Sequence, residues 1–159
     1  MFLRAVLAFL VLPGVVAFAV PLLFLRPPGR LFVFTPAATL VLGAGLVVLG
    51  WCVRDFYVLG RGTLAPWSPP QRLVVRGLYR FSRNPMYLGV LMIVTGWALG
   101  FRSSAIGWYV PALAVLFHLR VMIGEEPWLA QRHGTVWTDY VARVPRWLGP
   151  IGGRATGRN

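Results

Sequence analysis

Lysine is absent from this 159-residue chain, and acidic residues nearly so: Asp55, Glu125, Glu126 and Asp139 stand against sixteen arginines, a net charge of +12. The missing lysine is consistent with genomic base composition and carries no functional reading. Cysteine is reduced to Cys52, inside an apolar run, so neither a disulfide framework nor a thiolate metal site can be built. It reads as a packing residue and says nothing of compartment. Charged residues make up 13% of the chain, against roughly 25% in a soluble domain. An ordinary soluble domain is excluded. No serine stands in a nucleophile-elbow phrase, so nucleophilic catalysis has no support. His118 and His133 fit no zinc-helix spacing with the glutamates, so no metal is expected. There is no internal repeat and no low-complexity tract.

Apolar residues are abundant instead, at 57% of the chain with a mean hydropathy of +0.67. They are grouped into long runs, the pattern of a polytopic membrane protein. One small domain cannot hide them in its own core, so lipid must cover some. The arginines flank these runs and form no stripe on a polar domain. Anionic headgroups are therefore the expected partner, and nucleic acid is not.

Four apolar segments can be marked, at about Phe2 to Leu25, Leu31 to Val53, Met86 to Phe101 and Ser104 to Ile123. The first contains Pro13 and Pro21, tolerated in membrane helices. The third is short for a core that takes ~20 residues. Ser103-Ser104 is a candidate N-cap for the fourth. Ala17-Phe18-Ala19 resembles a signal-peptide cleavage site, but the apolar run continues past it to Leu25. Arg54, Arg61, Arg72, Arg76, Arg80 and Arg83 lie between segments two and three. Arg132, Arg143, Arg146, Arg154 and Arg158 follow segment four, whereas the other side holds only Arg26, Arg30 and Arg102. The positive-inside rule then puts both termini in the cytoplasm.

The expected architecture is an all-α integral membrane protein with about four transmembrane helices plus an interfacial C-terminal helix. Residues 1–53 would form an N-terminal helix pair and 54–85 an Arg/Pro/Gly-rich connector. Residues 86–148 would hold the C-terminal helices and the functional segment, and 149–159 a disordered tail. Gln71 to Tyr79 would lie on the interface through Leu73, Val74, Val75, Leu78 and Tyr79. Glu125 to Tyr140 would form an interfacial helix with Trp128, Leu129, Trp137 and Tyr140 on its apolar side. Gly43-Ala44-Gly45 reads as a small-residue helix contact.

Two phrases carry the chemistry. In Arg83-Asn84-Pro85-Met86-Tyr87-Leu88-Gly89, Asn84 and Pro85 suit a helix start. Gly89 would let another chain or a ligand approach closely, and Arg80 and Arg83 add positive charge. In the second phrase, Glu125-Glu126 places two of the four acidic residues where an apolar segment meets water, a functional-site signal in a membrane protein. On a continuous helix His118 and Glu125, seven apart, share a face and Arg120 points roughly opposite. The bland alternative has Arg120 snorkelling to the interface and the carboxylates merely solvated.

These residues resemble the isoprenylcysteine carboxyl methyltransferase family, and more distantly the phospholipid N-methyltransferases. The resemblance rests on Gly77-Leu78-Tyr79 and Arg83 to Gly89. It resumes at Glu125-Glu126 with Leu129, Gly134, Tyr140 and Val144-Pro145-Arg146. It covers roughly Gly77 to Arg146. The family often has His where Asn84 stands, and usually Phe and Tyr at the places of His133 and Trp137. The resemblance implies a membrane methyltransferase using S-adenosylmethionine, enclosed by the C-terminal segment, with a lipidic or prenylated acceptor entering from the bilayer. Carboxyl O-methylation leads; phospholipid or amine N-methylation and a non-catalytic scaffold are alternatives. The resemblance implicates Arg83, Asn84, Tyr87, Gly89, His118, Glu126, Tyr140 and Arg146 in holding the cofactor, and Glu125, Glu126 and Arg120 in catalysis. Glu125 or Glu126 would take an amino or ribose group, Arg120 or Arg83 the carboxylate, and Tyr87 or Tyr140 the adenine. The acceptor and the oligomeric state stay open.

Overall fold

The computed structural model of the chain describes residues 10–24, 31–59 and 73–149. The start of the first apolar segment, the Pro/Gly-rich part of the connector and nearly all of the expected C-terminal tail lie outside these residues. Every described regular element is helical.

Helix α1 winds with wide π turns over Leu10–Ala19 and continues as Val20–Leu23. Pro13 lies inside it, and a widened turn is one way a membrane helix accommodates the missing N–H. Helix α2, Pro36–Leu59, opens with proline at its first position, and Thr35 Oγ1 accepts the Ala38 N–H at 3.2 Å. Helix α3 is Pro85–Gly100 and α4 is Ser104–Arg120, with Ser103 Oγ accepting the Ile106 N–H at 3.4 Å. A π turn, Val121–Glu125, carries α4 into α5, Glu126–His133, and α6 is Thr135–Arg143.

Pro36–Asp55 and Ser104–His133 are long and apolar enough to cross a membrane; Pro13–Leu23 and Pro85–Gly100 are shorter apolar helices. Only 22% of the apolar window of each long helix is buried. A soluble core helix would be mostly buried, so these two present apolar surface outward, at Leu40, Val47, Trp51, Trp108, Leu116 and Ile123 among others. Against an expectation of four spans, two helices among the described residues reach crossing length.

Close packing of α2 on α3 organises the bundle. A Cβ at Gly45 would lie 2.8 Å from the Ile93 nitrogen and 2.9 Å from the Gly89 oxygen, so only glycine permits this approach. Gly43 meets nothing within 4 Å, so of the Gly43-Ala44-Gly45 phrase it is Gly45 that makes the contact. Leu49, Val90, Ile93, Val94, Ile106, Leu113 and Phe117 fill the core between α2, α3 and α4. At one end, the Val33 N–H reaches the Gly100 carbonyl at 2.8 Å, and Phe32 packs edge-on against Trp97 and Phe101.

At the other end, the approach to α3 has no regular element at 73–75 and then makes one 3-10 turn, Gly77–Arg80; the first two residues of the stretch expected on the interface, Gln71 and Arg72, lie outside the described residues. Gly77 has φ +60, and a Cβ there would sit 2.0 Å from Asp55 Oδ2; that turn needs glycine. The helix expected from Glu125 to Tyr140 is broken at Gly134, whose φ of +51 turns α6 away from α5. No α5 residue is buried, and Trp128 is exposed. Trp137 and Tyr140 of α6, by contrast, are buried with Val144 against Leu73 and Leu129.

Candidate active site

The site forms where the start of α3, the α4–α5 junction, α6 and the chain after α6 converge. The π turn decides its geometry. In a π turn the residue five positions on stacks over the first, so Glu125 is brought over Arg120. Arg120 Nε donates to Glu125 Oε1 at 2.9 Å and to the Tyr87 hydroxyl at 3.1 Å. The Tyr87 hydroxyl in turn donates to Glu125 Oε1. A regular helix would point Arg120 away from Glu125 and set His118 beside it. The extra residue in the turn reverses the expectation for Arg120, and Glu125 is paired with it rather than merely solvated. His118 instead accepts the Trp147 indole N–H on Nδ1 at 3.1 Å.

Glu126 is held by two arginines. Arg146 donates through Nε and Nη2 to its two oxygens at 2.9 and 2.7 Å, and Arg83 Nη1 reaches Oε1 at 2.8 Å. The Arg83 side chain is 10% exposed and that of Glu126 16%, so these bonds operate largely out of water, where charge-assisted pairs are strongest and broken pairs most costly. Burial pushes the Arg83 guanidinium below its ordinary range, with the Glu126 carboxylate opposing it. Arg146 is shifted upward, chiefly by its hydrogen bonds to Glu126. Arg83 Nε is buried with no hydrogen-bond partner.

Asn84 occupies the N-cap position of α3, yet its side chain makes no capping bond. Its Nδ2 donates to the Arg146 carbonyl at 3.0 Å, and its own N–H goes to Ser82 Oγ at 3.1 Å. Ser82 Oγ also donates to the Arg146 carbonyl at 3.3 Å, and the Arg83 N–H to the Pro145 carbonyl at 2.9 Å. The phrase around Asn84 therefore works as a clamp on the chain after α6 rather than only as a helix start.

Between these groups lies a cavity of about 110 Å³ lined by Leu73, Val74, Tyr79, Arg83, Asn84, Met86, Tyr87, Glu125, Leu129, His133, Trp137 and Tyr140. The Tyr140 hydroxyl donates to the Tyr79 carbonyl at 2.6 Å, tying α6 to the turn before α3. Burial pushes the Tyr140 hydroxyl up, with Arg83 pulling it back. Of the residues implicated by resemblance, Arg83, Asn84, Tyr87, Glu125 and Tyr140 line the cavity. Glu126, Arg120 and Arg146 lie one contact behind it, and His118 is reached only through Trp147. Gly89 does not belong with them: a Cβ there would meet Leu49 N at 3.1 Å and Gly45 O at 3.3 Å, so its small size serves helix packing on α2. Sequence reasoning passed over Ser82 and Trp147, and it had Trp137 on an interfacial face and as a departure from the family's usual Tyr, not as a site residue. Trp137 underlies the Arg83 guanidinium at 5.8 Å from its ring centre. Only its aromatic, membrane-proximal position marked it.

Chemically, the frame sets the guanidiniums of Arg83, Arg120 and Arg146 against the carboxylates of Glu125 and Glu126. It carries an excess of positive charge beside an apolar, aromatic-walled cavity. Both carboxylates are already paired, while a buried arginine nitrogen is not.

Comparison with known proteins places residues 38–136 in the phospholipid methyltransferase family. A stretch of 95 residues, 57% of this chain, is 28% identical to a Δ14-sterol reductase of Mus musculus. The chain matches about a fifth of that relative's length (22%). No solved structure matches. The family match spans more than half of the chain and takes in α2, α3, α4, α5 and the glutamate pair with its Arg83 partner: this protein belongs to the phospholipid methyltransferase family.

Proposed function

We propose that this protein is an integral-membrane methyltransferase that uses S-adenosylmethionine and O-methylates the carboxylate of a lipidic acceptor. The observation that carries the reading is Arg83. It lines the cavity, is buried, and keeps one nitrogen unpartnered within a frame of excess positive charge. Such a group suits an anion, either the cofactor's amino-acid carboxylate or an acceptor carboxylate. The donor set fits the cofactor in kind: cationic nitrogens for a carboxylate, Glu125 for an amino or ribose group, and Tyr87, Trp137 and Tyr140 for a flat adenine.

When bound, S-adenosylmethionine supplies a methyl group already activated on a sulfonium sulfur. The chain's own residues then have to align the acceptor and exclude water. Leu73, Val74, Met86 and Leu129 make the walls that exclude it. Arg83 holds negative charge in place, and Trp137 and Glu126 hold Arg83. A carboxylate acceptor needs no general base, so Glu125 stays paired with Arg120 throughout.

The family's phospholipid description favours a second reading, N-methylation of an amine headgroup. An amine must lose a proton, and Glu125, bonded to the Tyr87 hydroxyl at the cavity wall, is the group placed to accept it. The sterol reductase relative makes a sterol the control ligand.

The test is calorimetric titration of the detergent-purified protein with S-adenosylhomocysteine and, separately, a sterol, in wild type, Glu126→Ala and Asn84→Ala. S-adenosylhomocysteine binding weakened by both substitutions supports the reading and licenses a screen of carboxylate and amine lipids with labelled methyl donor. Folded protein that takes up no S-adenosylhomocysteine sinks it.

A further inference from the structure

Three residues of the cavity wall come from one stretch of chain. Glu125, Leu129 and His133 follow one another at intervals of four, so they stack along one side of α5 and its approach. At 1.5 Å of rise per residue the ends of this row lie about 12 Å apart. The Glu125 end adjoins α4, whose outer face is apolar through Leu116, Leu119 and Ile123. The His133 end follows the exposed Gln131 and Arg132 and stops at the Gly134 turn. The row therefore runs from the apolar side of the cavity towards its solvent side.

Polar groups along the wall differ in what they have left to offer. Glu125 is bonded to Arg120 and Tyr87, Asn84 to the Arg146 carbonyl, and Tyr140 to the Tyr79 carbonyl. His133 is half-buried, and its imidazole makes no hydrogen bond, ion pair or ring contact among the described residues. An imidazole donates a hydrogen bond in either protonation state, so its use here does not depend on its charge. Across the Gly134 turn, Trp137 lines the same cavity. A free donor and a flat aromatic side chain thus stand together at the solvent side.

That pairing sorts ligands. It suits the oxygens and ring nitrogens of a nucleoside and offers nothing to an alkyl chain. The cavity, at about 110 Å³, is also smaller than the roughly 300–1,000 Å³ of whole small-molecule sites. A ligand as large as S-adenosylmethionine would fill it with only part of itself and extend past the rim. A lipidic acceptor reaches the cavity from the apolar end, which leaves the solvent end to the water-soluble partner.

We propose that His133 is a cofactor-binding residue, its imidazole donating to the nucleoside half of S-adenosylmethionine at the solvent end of the cavity, beside Trp137. The inference rests on the methyltransferase reading above and gives it a direction: nucleoside towards His133, amino-acid half towards Glu125.

5′-Methylthioadenosine carries the nucleoside and the thioether but no amino acid, so it isolates this contact. Calorimetric titration of the full chain in lipid nanodiscs compares it with S-adenosylhomocysteine in wild type, His133→Phe and His133→Gln. His133→Phe keeps a ring and removes the donor. It should weaken both ligands by a similar factor, about fivefold, the size of one hydrogen bond. His133→Gln keeps a donor and should stay within about twofold of wild type. Neither substitution should move the melting temperature, which checks that both variants fold. A loss confined to S-adenosylhomocysteine would set His133 at the amino-acid half, and unchanged affinity for both ligands would leave it a solvated side chain; either overturns the inference. So does His133→Gln binding as weakly as His133→Phe, which would mark a role of shape. Wild type that binds neither ligand sinks the methyltransferase reading and this inference with it, whereas wild-type binding that His133→Phe leaves intact removes the inference alone.

Discussion

Glu126 is the residue on which the site's charge balance turns. Replacing it with glutamine leaves Arg83 buried beside Arg146 with no carboxylate between them, a loss of about 3 kcal/mol for a broken buried pair. Thermal melting of the detergent-purified variant should show that drop, together with loss of S-adenosylhomocysteine binding. Arg83→Lys separates charge from shape. It keeps the cation but loses the fork and the flat face over Trp137. Stability should change by about 1 kcal/mol or less while calorimetric affinity for S-adenosylhomocysteine falls at least about tenfold. Tyr140 gives a pH test. Its hydroxyl is shifted upward by burial, so its contribution is complete below the ordinary tyrosine value of about 10 and is lost as pH rises through the shifted value. Wild-type melting temperature should fall in that alkaline window. Tyr140→Phe should cost about 1 kcal/mol at pH 7 and flatten the alkaline decline. At this scale the sequence was informative about which residues gather around the cavity and poor on who meets whom. Arg83, Glu125, Glu126 and Tyr87 were legible because charge and hydroxyls beside apolar segments demand partners. The partners themselves, Arg146 from twenty residues away and Trp147 for His118, depend on where the chain returns after α6.

Elements were legible where periodicity and caps agree. The third and fourth apolar segments became α3 and α4 almost at their expected limits, with Pro85 starting one and Ser103 capping the other. The π turn at Val121–Glu125 had no such signal, and it inverted the expected facing of Arg120 and His118. Gly134 was noted as a motif residue, but its positive φ, which splits the expected helix in two, is a tertiary outcome of docking Trp137 and Tyr140 under Leu73 and Leu129. Gly45 was read correctly as a helix contact. Gly45→Val should wedge α2 from α3 at a cost of about 1–3 kcal/mol, the range for overpacking a tight contact. A melting temperature unchanged from wild type would show that the two helices do not rely on this approach.

For the whole molecule, the strongest statement from composition is that lipid must cover the apolar excess, and the outward-facing apolar surfaces of α2 and α4 agree with it. Orientation remains a prediction from arginine placement. A fluorescent protein fused after Asn159 should fold and fluoresce if the C-terminus is cytoplasmic, whereas cysteines placed at Arg30 and Arg102 should react with an impermeant thiol reagent from the opposite side. Labelling of those two positions only after the membrane is broken would reverse the topology.

Membership of a membrane class and the helical character of the described residues were legible in the sequence alone, and so were the two phrases whose residues gather around the cavity. Hydropathy, proline and cap positions, and the scarcity of acidic groups act locally and survive in any arrangement of the helices. The tertiary structure decided the ion-pair partners, the role of Asn84 as a clamp, the assignment of Gly89 to packing and the cavity itself. Each of these requires two distant stretches of chain to be brought within a few ångströms. That approach is set by Gly45 of α2 against α3, by the extra residue of the π turn and by the return of the chain after α6, and no local pattern encodes their sum.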